Sequence, residues 1–99
     1  DSVVDAILKL VRSARPHTAE AGPRVNDLVA WGPGPRASQA LMLAVRARAL
    51  LDGRFAPSID DVIALAKPVL RHRMALTFTA RTENVSIDQV IGDLLAPLQ

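Results

Sequence analysis

The sequence predicts a small all-α bundle of four or more helices, with room for one short two-stranded hairpin. Its 99 residues suit a single domain, which we place over residues 1–99. About half of them (49%) are apolar, enough for one compact core. Apolar residues recur at helical spacing in four segments, and Gly and Pro separate these segments.

Composition excludes several classes of protein. The absence of cysteine rules out disulfides and thiolate zinc sites. No apolar run reaches about 18 residues, so the sequence predicts no transmembrane segment, and it shows no signal-peptide pattern. We expect a cytoplasmic protein, and the start at Asp1 rather than Met predicts a fragment of a longer chain. The net charge is +2 with cations scattered along the chain, which makes nucleic acid an unlikely partner.

The first predicted helix covers residues 2–15. Ser2 can cap it, and Pro16 discourages helix at the residue before it. The stretch from Pro16 to Pro35 is broken by glycine and proline, and within it residues 27–31 read as a short strand.

The second helix is predicted from Gly34 or Pro35 to about Asp52. Proline suits a first helical position, and Gly53 suits the left-handed residue that ends a helix. Apolar residues nearly encircle this segment, which predicts the central helix of the bundle.

Two further helices are predicted in the second half. One begins at Ser58, and Pro68 is expected to kink or restart it. Residues 74–80 alternate apolar and polar side chains, which predicts a strand that can pair with 27–31. The last helix follows Ser86, where Gln89 completes a capping box.

Residues that could act as catalysts have ordinary explanations. His17 lies in a loop and His72 at a helix end, and neither belongs to a motif with a serine and a carboxylate. Asp60 and Asp61 are explained as acidic residues at a helix start. There is no H-E-x-x-H pattern, so no metal site is predicted.

Phosphate-loop motifs are also missing. Neither lysine follows a glycine, as the P-loop requires. Gly32, Gly34 and Ala37 loosely fit a dinucleotide-binding pattern. We reject that pattern because Pro33 and Pro35 lack the backbone N–H groups that cradle a pyrophosphate.

Arg36 is the remaining candidate for chemistry. It falls in the first turn of the central helix, where free N–H groups and a guanidinium together suit an anion. Judged by spacing alone, an ordinary solvated arginine remains the favoured interpretation.

A longer match changes this interpretation. The segment WGPGPRASQALMLAVRARALLDGR followed by SIDDVIALAKPVLRHRMAL resembles the C-terminal lid of MoxR-family AAA+ ATPases over residues 31–76. That family shows G-x-[SG]-P-R-A-[ST] before the central lid helix, then L-x-G-R and P-V-L-x-H-R. One departure is that Pro57 precedes Ser58, whereas the family proline follows the Ser or Thr.

The resemblance implies a lid that packs over ATP held by a P-loop core in the same chain. Arg36 then matches the sensor-2 arginine, which reaches the γ-phosphate; Gly34 and Pro35 would position it, and Ala37 would let the helix approach the core. The parent would be an ATP hydrolase that uses ATP and Mg²⁺, forms rings with neighbouring subunits and helps partner proteins mature, often ones with von Willebrand factor A-type domains.

The catalytic Walker A and Walker B residues would lie in the missing core. The fragment alone is therefore expected to fold without hydrolysing ATP, and it contains no catalytic residue of its own.

Two alternatives stay open. A helical protein-interaction bundle would bury part of the second helix against another chain. A nucleic-acid-binding domain would use several arginines, although Arg46 and Arg48 point about 200° apart on one helix. The candidate arginines are Arg46, Arg48, Arg71, Arg73 and Arg81.

Overall fold

The structure, a computed structural model, describes residues 2–99 as a helical bundle with one small sheet. The predicted fold class is confirmed. Within the described residues the elements are, in chain order, α1 (Ser2–Ser13), α2 (Pro23–Leu28), β1 (Val29–Trp31), α3 (Pro35–Leu51), α4 (Ile59–Leu70), a 3₁₀ turn (Arg71–Arg73), β2 (Ala75–Leu76), α5 (Phe78–Thr82), α6 (Ile87–Leu95) and a second 3₁₀ turn (Ala96–Leu98).

Helix α3 packs mainly against α4 and α1. It is not enclosed on most sides as predicted, because Leu43, Leu50 and Leu51 are exposed. Its buried side chains are spaced three or four residues apart, so they form one face of the helix. They join a single apolar core to which the other α-helices, except the short α5, contribute medium and large side chains. The inward residues of α3 are Ala37, Leu41, Val45 and Ala49.

The end of α3 follows the prediction for Gly53. This residue has φ +75°, the left-handed conformation that glycine adopts without steric cost. The N–H of Arg54 donates to the carbonyl of Ala49 at 2.8 Å, and the N–H of Gly53 donates to Leu50 at 3.0 Å. These two bonds form a Schellman motif, which fixes the direction in which the chain leaves α3.

The two predicted strands do pair, but both are shorter than expected. Val29 faces Leu76 and Trp31 faces Ala75 in an antiparallel, irregular ladder. The strand predicted over 27–31 loses its first two residues to α2, and the strand predicted over 74–80 is wrong beyond residue 76. Alternation alone could not show this, because a five-residue helix contains too few turns to display a period.

A side-chain cap explains why helix replaces strand after residue 76. The Thr77 hydroxyl accepts a hydrogen bond from the N–H of Ala80, which starts α5. The same hydroxyl donates to the carbonyl of Asp27 at 2.6 Å, tying α5 to the end of α2. This contact spans 50 residues of sequence, so local pattern could not reveal it.

Two helix ends differ from prediction, and the alternative that Pro68 restarts its helix is wrong. Helix α1 ends at Ser13 rather than near residue 15. Helix α4 continues through Pro68 to Leu70 without restarting. Ala64, whose carbonyl loses its partner to the proline, is exposed, so water can satisfy that oxygen. His72 lies in the 3₁₀ turn after α4.

Candidate functional site

The first turn of α3 leaves its backbone donors without a side-chain cap. Gly34 is the N-cap residue in an extended conformation, and Pro35 occupies the first helical position. No acidic residue lies in this turn. By contrast, α4 and α6 both begin with complete capping boxes. Pro35 has no N–H, and the N–H of Ala37 donates to the carbonyl of Gly34 at 3.0 Å. The start of α3 therefore presents the positive end of a helix dipole with few free N–H groups.

The segment that leads into α3 packs closely against the turn that follows α1. A Cβ built on Gly32 would lie 2.5 Å from the carbonyl oxygen of Ala14, so only glycine allows this approach. Pro33 is fully buried, and its carbonyl accepts a hydrogen bond from Arg15 Nε at 2.8 Å. Contacts with Ala14 and Arg15, in the turn after α1, therefore fix the position at which α3 begins.

Arg36 projects from this fixed turn into solvent. Its side chain is exposed, and it makes no hydrogen bond or ion pair with any residue in the described range 2–99. Ala37, the next residue, is only 1% exposed and packs into the core. The structure thus brings Gly34, Pro35 and Arg36 together at one solvent-facing corner and turns Ala37 inward, where its small side chain seats the helix.

A second charged cluster, at the other end of α3, was missed by the sequence analysis. The Asp61 carboxylate is completely buried and accepts hydrogen bonds from Arg48 and from two nitrogens of Arg54, at 2.7 and 2.9 Å for Arg54. The N–H of Ser58 donates to the same carboxylate at 2.8 Å. The cluster joins the end of α3 to the start of α4.

Its ionisation follows from these contacts. The hydrogen bonds from Arg54 hold the pKa of the Asp61 carboxyl well below its ordinary value; burial opposes this, and Ser58 and Arg48 add to the lowering. The same pairing, helped by Asp52, raises the pKa of the Arg54 guanidinium. Asp61 is therefore ionised at neutral pH, and the two arginines compensate its charge.

This cluster predicts a loss of stability in acid. Because the folded-state pKa of Asp61 lies below its unfolded value of about 3.9, its contribution is complete above that value and is lost as the pH falls. We expect urea unfolding to show a free energy that decreases below about pH 5. The Asp61→Asn variant should show a shallower decrease, and an equal decrease in both proteins would contradict this assignment.

The profile of the AAA lid domain matches residues 21–94. The chain belongs to the AAA lid domain family. The lid domain is 35% identical to Chaperone MoxR1 of Mycobacterium tuberculosis over 94 residues, which cover 95% of this chain and 25% of that protein. It is 31% identical over its whole length to the uncharacterized protein YeaC of Bacillus subtilis, covering 28% of YeaC.

A solved structure supports the same relationship. A crystal structure of a candidate ATPase from Cytophaga hutchinsonii superposes with a TM-score of 0.87 at 28% identity, covering 96% of the lid domain and 29% of that chain. The resemblance to MoxR-type lids is thus confirmed. The lid domain spans between a quarter and a third of the length of the proteins it matches.

The alternative function, nucleic-acid binding through arginines, has little support in the structure of the lid domain. Arg48 binds Asp61, and Arg71 pairs through two nitrogens with Asp88 at 3.0 and 3.1 Å. Arg73 donates to the carbonyl of Val69. Three of the five candidate arginines are therefore engaged within the domain and are less available to phosphates.

The remaining sequence candidates do not assemble into a centre. His17 has φ +63° in the loop after α1, where its N–H donates to Asn26 Oδ1. Among residues 2–99, no group of three or more His, Asp or Glu side chains is placed to hold a metal ion. No helix in the same range has the length and apolar character needed to cross a membrane.

Proposed function

We propose that this lid domain closes over ATP bound by the P-loop core of the same chain and contacts the γ-phosphate through Arg36. The observation that carries the proposal is an exposed arginine whose side chain has no partner among the described residues. It lies at a helix start without a side-chain cap, and the preceding Gly32 contacts the backbone of Ala14 and Arg15. A guanidinium pairs with phosphate oxygens through two parallel hydrogen bonds, and the helix N-terminus adds favourable potential.

Each neighbouring residue has a role in this proposal. Gly34 and Pro35 set the direction of the first turn, so the guanidinium starts from a defined position. Ala37 keeps that turn seated in the domain core. The Walker residues and the Mg²⁺ site would be supplied by the core, while Arg36 adds positive charge that binds ATP better than ADP.

At the level of the whole protein, we propose a ring-forming ATPase that helps partner proteins mature. Support comes from the relationship to Chaperone MoxR1. Proteins with von Willebrand factor A-type domains are the partner class that the MoxR resemblance suggests, and neighbouring subunits would complete the ring.

Replacing Arg36 with alanine tests the phosphate contact. In the full-length protein we expect Arg36→Ala to lower ATP turnover, or the preference for ATP over ADP, by roughly tenfold, since a charge-assisted bidentate contact is lost. Steady-state ATPase assays and nucleotide titrations measure both quantities.

The matched control is Arg46→Ala. Arg46 is exposed on the same helix, and its side chain makes no hydrogen bond or ion pair within residues 2–99. This variant should keep the turnover and nucleotide preference of the parent protein. Wild-type kinetics in Arg36→Ala would refute the sensing role.

A further inference from the structure

The side chain of Arg15, in the turn after α1, reaches the segment that leads into α3. Its Nε donates to the carbonyl oxygen of Pro33 at 2.8 Å, across 18 residues of sequence. The backbone that carries this side chain is ordered. The N–H of Arg15 donates to the carbonyl of Arg12 at 3.1 Å, and its carbonyl accepts a hydrogen bond from the Thr18 hydroxyl at 2.9 Å. The half-buried arginine is therefore held at its backbone and at its Nε.

This hydrogen bond takes the place of the side-chain cap that α3 lacks. In α6 the hydroxyl of Ser86 accepts a hydrogen bond from the N–H of Gln89 at 3.1 Å, so the helix fixes its own first turn. Gly34, the N-cap residue of α3, has no side chain that could do this. The contact from Arg15 acts one residue earlier, on Pro33, and so supplies from the turn after α1 what the start of α3 cannot supply locally.

The backbone between Pro33 and Arg36 transmits this constraint. A hydrogen bond to a carbonyl oxygen orients the whole planar peptide, which here joins Pro33 to Gly34. Gly34 is extended, with φ −87° and ψ −173°. The ring of Pro35 fixes its own φ and disfavours a helical conformation at the residue before it. Few rotations are therefore free between the carbonyl that Arg15 holds and the Cα of Arg36.

We propose that Arg15 is a positioning residue for Arg36. By holding the Pro33 carbonyl it sets the direction of the first turn of α3, and it acts on the nucleotide only through Arg36. The inference rests on the proposed function, because it concerns the contact of Arg36 with a phosphate. A backbone that is fixed before binding lowers the entropic cost of making that contact. Release of Pro33 should therefore weaken the binding of ATP more than the binding of ADP.

Two substitutions of nearly equal length separate the hydrogen bond of Arg15 from its charge. Glutamine carries Nε2 at the same number of bonds from Cα as the Nε of arginine, so Arg15→Gln can keep the bond to Pro33 without the charge. Methionine carries a methyl group at that position, so Arg15→Met removes both. Arg12→Met is the matched control. Arg12 is exposed in the last turn of α1, and its side chain makes no hydrogen bond or ion pair within residues 2–99.

Nucleotide titrations of the full-length protein test whether Arg15 acts through Arg36. We expect Arg15→Met to lower the preference for ATP over ADP by about fivefold, the effect of one hydrogen bond, and Arg15→Gln to stay near wild type. Adding Arg15→Met to Arg36→Ala should cause no further loss. Wild-type preference in Arg15→Met would overturn the proposal. Equal losses in Arg15→Met and Arg15→Gln, or a further loss in the double variant, would also overturn it, since Arg15 would then act through its own charge.

Hydrogen exchange distinguishes a failure of this inference from a failure of the proposed function. The N–H of Ala37 donates to the carbonyl of Gly34 at 3.0 Å and closes the first turn of α3. Without nucleotide, a peptide spanning residues 31–40 should exchange about fivefold faster in Arg15→Met than in wild type or Arg12→Met. Unchanged exchange in Arg15→Met would overturn the hold on α3, whatever Arg36 does. Faster exchange with wild-type nucleotide binding in Arg36→Ala would confirm that hold and refute the phosphate contact.

Discussion

Replacing Gly32 with alanine is expected to lower the free energy of unfolding by about 3 kcal/mol. The added Cβ would lie 2.5 Å from the carbonyl oxygen of Ala14 and 2.9 Å from the Cα of Arg15. Both atoms belong to backbone, so no side chain can rotate to relieve the overlap. For a domain of this size such a loss corresponds to a decrease in melting temperature of roughly 15 °C, measurable by circular dichroism.

Gly34→Ala is the matched control, because a Cβ at that position meets no atom within 4 Å. Its cost should stay below about 1 kcal/mol, the usual range for an N-cap exchange. Gly92→Ala, inside α6, should be neutral or stabilising because its Cβ would only touch the flexible end of Lys67 at 3.8 Å. Similar melting temperatures for the Gly32 and Gly34 variants would contradict the close approach of Gly32 to the backbone of Ala14 and Arg15.

Asp61→Asn is expected to lower the free energy of unfolding by about 2 kcal/mol at neutral pH. An amide has one acceptor oxygen and presents an NH₂ group to donors that now bind a carboxylate. The loss is smaller than for a fully buried pair, because Arg48 and Arg54 retain partial contact with water. Urea unfolding at pH 7 measures the difference.

The neighbouring carboxylate gives a close control. Asp60 is exposed at the same helix start, so Asp60→Asn should change the free energy of unfolding by less than about 0.5 kcal/mol. Equal effects of the two variants would mean that both residues act only through the helix dipole, and would remove the distinct role of Asp61.

The helices longer than eight residues were predictable from sequence, for a physical reason. Amphipathic spacing and caps act within a few residues, so Ser58, Ser86 and Gly53 mark the helix boundaries where the structure has them. The short helices α2 and α5 were not predictable in this way. Thr77 starts α5, and it contacts a carbonyl 50 residues away.

Arg36 and Asp61 also differ in how far the local sequence could identify their roles. Arg36 could be identified because a specific run of residues surrounds it in the sequence and resembles a known lid motif. The sequence interpretation explained Asp60 and Asp61 alike, as acidic residues at a helix start. Burial of one and exposure of the other depend on where α3 ends relative to α4, which no local pattern states. Two local signals did distinguish Asp61: it occupies the capping-box position three residues after Ser58, and Arg54 directly follows the helix-ending glycine.

The all-α class, the four longer helices and the position of Arg36 in the first turn of α3 could be predicted from the sequence, because helix periodicity and capping are local interactions. Tertiary packing sets the shortness of the sheet, the burial of Asp61 with its arginines and the exposure of Leu43 and Leu50 on α3. An apolar helix that could be covered on every side is covered here on one side only. Which side is covered depends on how α1 and α4 pack, and that packing follows from contacts between residues distant in the chain.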